Sequence, residues 1–104
     1  MKLSTQQLDF FNTFGFLHFP RLFSPEETAW IIEEFEVSIQ NFGAGKQHDG
    51  SKRTMFGGPI EHRPRLCALL DDARIEGIVG GVLGEGVNYA SGDGNSYRGA
   101  TGWH

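Results

Sequence analysis

The chain has 104 residues, a formal net charge of −4 and 38% hydrophobic residues, nine of them phenylalanine. That length suits a single domain, and the scattered Lys and Arg residues form no basic run, which excludes the electrostatic footprint of a nucleic-acid binder. One cysteine, Cys67, excludes a disulfide framework and any multi-cysteine metal site. No apolar run is long enough to span a bilayer, and there is no signal-peptide pattern, so a cytoplasmic protein without a membrane partner is expected.

In chain order, Ser4-x-x-Gln7 is a capping box, with Leu3 and Leu8 placed as a hydrophobic staple. A helix is predicted over residues 5–13, burying Leu8 and Phe11 and ending at Gly15. Phe16-Leu17-His18-Phe19 reads as a short strand closed by Pro20. Ser24-Pro25-Glu26-Glu27 starts a second helix, with proline at its first position and acids at its positive end. Ala29, Ile32, Phe35, Ile39 and Phe42 recur at helical period, and Gly43 is the predicted stop. The acids of this helix, including Glu33, Glu34 and Glu36, are expected on a solvated face.

From Gly43 to Gly58 no period survives, and a loop is predicted with an extended piece at Thr54-Met55-Phe56. A short helix is predicted over residues 64–70, with Cys67 as a buried, inert thiol. Asp72 caps a further helix bearing Ile75, Ile78, Val79 and Val82 at i, i+3, i+4, i+7 spacing. Gly77, Gly80 and Gly81 interrupt that pattern, and glycine inside a helix points to close packing on another backbone. Apolar residues thin out after Asp72, leaving that half under-provided for a core of its own. Val87 to Ala90 reads as a strand, Ser91 to Gly94 as a turn, Ser96-Tyr97-Arg98 as extended, and Gly102-Trp103-His104 as the start of another strand.

Four histidines are present, and none pairs at i, i+4 on a predicted helix. His18 reads as a structural strand residue and His48 as solvated, while His62 sits in a loop of a kind that can close over a site. The glycines do not make a phosphate loop. Gly92-x-Gly94 lacks the third glycine and the following helix, and Gly94-x-x-x-x-Gly99 is followed by Ala100-Thr101 instead of Lys and Ser or Thr.

Four segments in order resemble the N-terminal half of the phytanoyl-CoA dioxygenase (PhyH) family of iron(II)- and 2-oxoglutarate-dependent oxygenases. They are Leu8-Asp9-Phe10-Phe11 through Gly15-Phe16-Leu17; Leu22-Phe23-Ser24-Pro25-Glu26-Glu27; Arg74-Ile75 through Leu83-Gly84; and Asp93-Gly94-Asn95 through Gly102-Trp103-His104. The last resembles the approach to the family's His-x-Asp iron motif, whose histidine often follows a tryptophan.

The resemblance implies an α+β chain, residues 1–104 forming one partial domain. N-terminal helices and first strands would belong to a double-stranded β-helix (a cupin-like jelly roll). It implies hydroxylation of a small organic substrate with molecular oxygen, iron(II) and 2-oxoglutarate. An acyl thioester, an amino-acid derivative and a secondary metabolite all remain open as substrates. His104 would be the first metal ligand, since two histidines and a carboxylate suit ferrous iron. The motif's aspartate, the distal histidine and the oxoglutarate-binding basic residue would fall beyond residue 104. The 104 residues alone are therefore expected neither to bind iron usefully nor to turn over, and to self-associate through an exposed sheet edge.

Asn95 and Tyr97 are candidates to bind the oxoglutarate or substrate, and Arg98, like Arg53, to meet an anionic group. Their bland counterparts are a turn residue, a packing residue and surface arginines. A different class of reading is a small standalone α+β interaction module with a Gly-rich C-terminal arm.

Overall fold

The computed structural model describes residues 1–41 and 51–100. Helices α1 (Thr5–Phe14) and α2 (Pro25–Asn41) come first, followed by strand β1 (Thr54–Gly57). Two one-turn helices, α3 (Pro59–His62) and α4 (Pro64–Cys67), lead through a 3₁₀ turn (Ala68–Asp71) into α5 (Ala73–Leu83) and strand β2 (Asp93–Ser96). The class is α+β, as expected, with one two-stranded antiparallel sheet among the described residues.

The helix starts follow the local chemistry of their caps. Ser4 Oγ accepts from Gln7 N (3.2 Å) while Gln7 Oε1 accepts from Ser4 N (2.9 Å), the reciprocal box expected. Ser24 and Glu27 repeat it at α2: Glu27 N donates to Ser24 Oγ (3.1 Å) and Ser24 N to Glu27 Oε2 (2.7 Å). Asp72 caps α5 by accepting from Arg74 N (2.8 Å). Gly15, at φ 79°, closes α1 in the left-handed conformation that an L side chain resists.

Pro59 and Pro64 each occupy the first turn of a one-turn helix, where a missing N–H costs nothing. Arg63 between them is extended (φ −125°, ψ 107°), because the proline that follows disfavours the helical region there. That kink gives Arg63 its function in the fold. Its Nε donates to Glu34 Oε2 at 2.6 Å, pinning the α3–α4 corner to α2.

Among the described residues the buried apolar side chains are Leu3, Ile39, Phe56, Pro59 and Leu66. Phe35 meets Phe56 edge-on at 5.2 Å, which joins α2 to the sheet. The buried residues of α2 are Glu34, Ser38 and Ile39, so its inner face is rotated from the predicted apolar stripe: Ile32 is 55% exposed and Ala29 is exposed. Glu34 also departs from the solvated face expected for the acids. It is 7% exposed because Arg63 folds over it.

Other expectations are corrected as well. Residues 16–19 form no strand: Gly15 turns the chain, and Phe16 folds back to pack edge-on against Phe10 at 5.3 Å. Residues 87–90 are exposed and irregular, and the strand lies later, at Asp93–Ser96. Leu8 and Phe11 are only half-buried, and Leu3, the staple residue, takes the buried place. Cys67 is exposed at the end of α4, since Leu66 is the residue that points inward. The stop at Gly43, the loop over residues 43–50, Phe42, His48 and the strand at residues 102–104 lie outside the described residues.

Of the three glycines of α5, Gly77 and Gly81 pack closely, as expected, and Gly80 does not. A Cβ on Gly77 would fall onto the Met1 backbone, and one on Gly81 would lie 2.9 Å from Leu3 Cδ1. The Met1 ammonium donates to Ala73 O (3.1 Å), so residues 1–3 lie along α5 on this glycine track. A Cβ on Gly80 meets nothing within 4 Å. Beyond Asp72 the described chain buries only Gly94, which agrees with the apolar poverty of that half.

Gly80→Ala is expected to stabilise the fold by up to about 1 kcal/mol, the helix-propensity difference. Gly77→Ala is expected to lower stability by displacing Met1, and a urea titration of both variants distinguishes them. Ile39→Ala, at a residue 0% exposed, is expected to cost about 2–5 kcal/mol in the same measurement.

Candidate functional site

The sheet has one covered face and one open face, set by the two-residue period of its strands. The register pairs Thr54 with Ser96, Met55 with Asn95, Phe56 with Gly94 and Gly57 with Asp93. Thr54 and Phe56 are buried, while Met55 is 55% exposed. Opposite Phe56 only glycine fits, because a Cβ at position 94 would run into the Phe56 ring.

On the open face the side chains of Arg53, Met55, Asn95 and Tyr97 come together. Arg53 Nη2 donates to Asn95 Oδ1 (2.9 Å) and lies 3.8 Å from the Met55 sulfur. Its guanidinium stacks over the Tyr97 ring, 4.9 Å from the centroid. Two candidate binding residues, Asn95 and Tyr97, are thus brought together by a third, Arg53. Arg98 follows Tyr97 and is exposed. A cation, an amide and a phenol on an open face suit hydrogen bonding to a carboxylate. This group of four contains no histidine, carboxylate or thiol.

His104 lies outside the described residues, as does His48. His18 is exposed, and His62 closes α3 with its ring against Gly58, whose φ of 72° and hydrogen bond to Gly92 O set the turn there. Among the described residues no group of three His, Cys, Asp or Glu side chains converges to hold a metal ion. None of their helices is long and apolar enough to cross a membrane.

A second polar constellation joins the starts of α2 and α5. Arg74 donates from Nε and Nη2 to the two oxygens of Asp72 (2.9 and 2.7 Å) and from Nη1 and Nη2 to the two oxygens of Glu27 (3.0 and 2.7 Å). A further Nη1 bond reaches Leu22 O at 2.8 Å, and the Phe23 ring lies 4.8 Å below the guanidinium. Five contacts thus match the five N–H donors of an arginine. The Arg74 hydrogen bonds, with the Ser24 backbone, hold the Glu27 carboxyl down to about 2, and the same guanidinium holds Asp72 well below the carboxylate range. Arg63 likewise lowers Glu34.

Two smaller features complete the survey. Partial desolvation of its hydroxyl, followed by the Glu61 charge, pushes the phenol of the otherwise exposed Tyr89 up. An open cleft of about 590 Å³ runs beside the start of α2, between Arg21, Phe23, Pro25, Ala29 and Ile32. Arg21, at φ 57°, has the left-handed backbone that a side chain normally avoids.

No family model matches the chain, and neither does any curated protein or solved structure.

The constellation sought from the sequence was a metal site, and the densest one found is the Arg74 knot. The Ser24-x-x-Glu27 box and the Asp72 cap were both readable signals of it. Their shared partner was not, because Arg74 lies 47 residues from Glu27.

Folding depresses the Glu27 pKa from 4.5 to about 2, so its contribution is complete above 4.5 and is lost as pH falls towards 2. Asp72 adds to the same trend at lower pH. The urea midpoint is therefore expected to fall across that window in the parent chain and to fall less in Arg74→Met, whose carboxylates have lost their cation.

Proposed function

We propose that residues 1–104 form the N-terminal part of a PhyH-like, iron(II)- and 2-oxoglutarate-dependent oxygenase acting on a small organic substrate. In this reading α1 and α2 are the outer helices of a jelly-roll domain and β1–β2 is the first pair of strands in its sheet. The observation that carries it is that pair. Its second strand ends at Ser96, six residues short of the Trp103-His104 segment in sequence, and among the described residues neither of its strands has a second neighbour. Unpaired edges of this kind are normally covered in a finished sheet.

The described residues supply no metal-holding group, so the iron site of this reading rests on His104 and on partners outside them. The described chain contributes scaffold and binding. Arg53, Asn95 and Tyr97 present a cation, an amide and a phenol to a carboxylate-bearing molecule such as 2-oxoglutarate. Arg98 is a neighbouring charge in the same reading.

The rival, a standalone interaction module, draws support from the Arg74 knot, which ties the two long helix starts together with no help from further chain.

The reading frame after codon 104 separates the two. An aspartate two positions after His104, and succinate production from 2-oxoglutarate by the protein so extended, is the expected outcome, with His104→Ala abolishing turnover. A stop codon directly after His104, or an extended protein whose turnover is indifferent to that substitution, would overturn the proposal.

A further inference from the structure

The chain entering α2 turns at residues 19–22, where Leu22 N donates to Phe19 O at 3.3 Å. Pro20 stands second in this turn and Arg21 third, the order of a type II turn, whose third position calls for glycine or asparagine. Arg21 fills it at φ 57°, and among the described residues no other non-glycine residue has a positive φ. The fold makes no use of the side chain held there. Five of the six arginines are engaged: Arg53 with Asn95, Arg63 with Glu34, Arg65 with Trp30, Arg74 in its knot, and Arg98 in a further contact. The Arg21 side chain has no hydrogen bond, ion pair or ring contact among the described residues.

Arg21 lines the cleft of about 590 Å³ beside the start of α2, a volume within the roughly 300–1,000 Å³ of small-molecule sites. Pro25, Thr28, Ala29 and Ile32, at i, i+3, i+4, i+7 spacing, form one wall as a single stripe of the helix. Phe23 adds an aromatic ring, and no acid is among the lining residues. The acids nearest in sequence are held elsewhere. Glu26 Oε2 accepts from Ser24 Oγ at 2.8 Å, and Glu27 accepts from Ser24 N and from Arg74.

We propose that this cleft binds a small amphipathic monocarboxylate, its apolar body along the α2 stripe and its carboxylate on the Arg21 guanidinium. The lining selects each part of that ligand. One unpaired cation and no acid call for an anion, and one guanidinium fork matches one carboxylate bidentately. A phosphate ester would bring further negative charge that a chain of net charge −4 leaves unmatched here. A wall of Phe23, Pro25, Ala29 and Ile32 with two hydroxyls suits an apolar body and offers too few polar partners for a sugar. The cation is also pre-positioned. Pro20 fixes the turn on one side of Arg21, and Arg74 Nη1 holds Leu22 O at 2.8 Å on the other. Strained backbone of this kind recurs at ligand clamps, and a preset charge loses less freedom on binding. The inference does not rest on the oxygenase reading.

Titration of the isotope-labelled 104-residue protein with phenylbutyrate to about 10 mM, read by amide NMR shifts, covers weak small-ligand affinities. Saturable shifts centred on residues 21–32 are expected, with phenylbutanol binding about tenfold or more weakly, as loss of a charged hydrogen bond implies. Arg21→Gly suits the turn and removes the cation. It is expected to raise the urea midpoint while weakening phenylbutyrate binding about tenfold or more, a combination that damage to the fold does not produce. Ile32→Glu, which sets an acid in the apolar wall, is expected to weaken binding as well. Absence of saturable binding, shifts centred on residues 53–55 and 95–97, equal binding of the alcohol, or binding indifferent to Arg21→Gly would overturn the proposal.

Discussion

Arg74 closes the fold by serving two helix caps at once. Glu27 and Asp72 each complete the start of a helix, and each leaves carboxylate oxygens able to accept more. One guanidinium takes both, and through Leu22 O it also fixes the turn leading into α2. A rigid fork of donors suits two carboxylates in a way that a lysine's point charge does not. Because α5 buries none of its residues completely, this knot and the glycine track beneath residues 1–3 reinforce the half-buried Ile75, Ile78, Val79 and Val82 in holding it against the remainder. The arrangement compensates electrostatically for an apolar core confined to a few side chains.

Glu34 repeats the logic in the middle of α2. It sits at the α3–α4 corner that Pro64 forces into an extended conformation, and the corner residue is the arginine that neutralises it. Removing Arg63 would leave the covered Glu34 carboxylate with only the more distant Arg65, 3.9 Å away. The neighbouring Ser38 Oγ, fully covered and without a hydrogen-bond partner among the described residues, shows how little slack this face of α2 has.

Helix starts were legible in the sequence because their chemistry is local: a capping box needs only residues three apart, and a proline at the first turn needs only itself. Strands were harder. β1 was expected near its true place, whereas β2 was displaced from the predicted extended piece, because its register depends on Gly94 lying under Phe56, a contact across the sheet. The burial of Glu34 and the exposure of Cys67 were equally hidden, since both depend on how the Arg63–Pro64 corner turns. Of the candidate site, Asn95 and Tyr97 do share a surface, yet the residue that unites them, Arg53, comes from the opposite strand segment. Composition contains no record of such pairings.

The docking of Met1 on α5 has a practical side. An ammonium brings three donors and a positive charge to the Ala73 carbonyl, and the backbone behind it lies where Gly77 leaves no spare room. Acetylation, or an affinity tag fused at this end, replaces that ammonium with a neutral amide bearing one donor and adds atoms beside a crowded helix surface. Labels and fusions at the start of this chain therefore perturb a packed joint, not a loose tail.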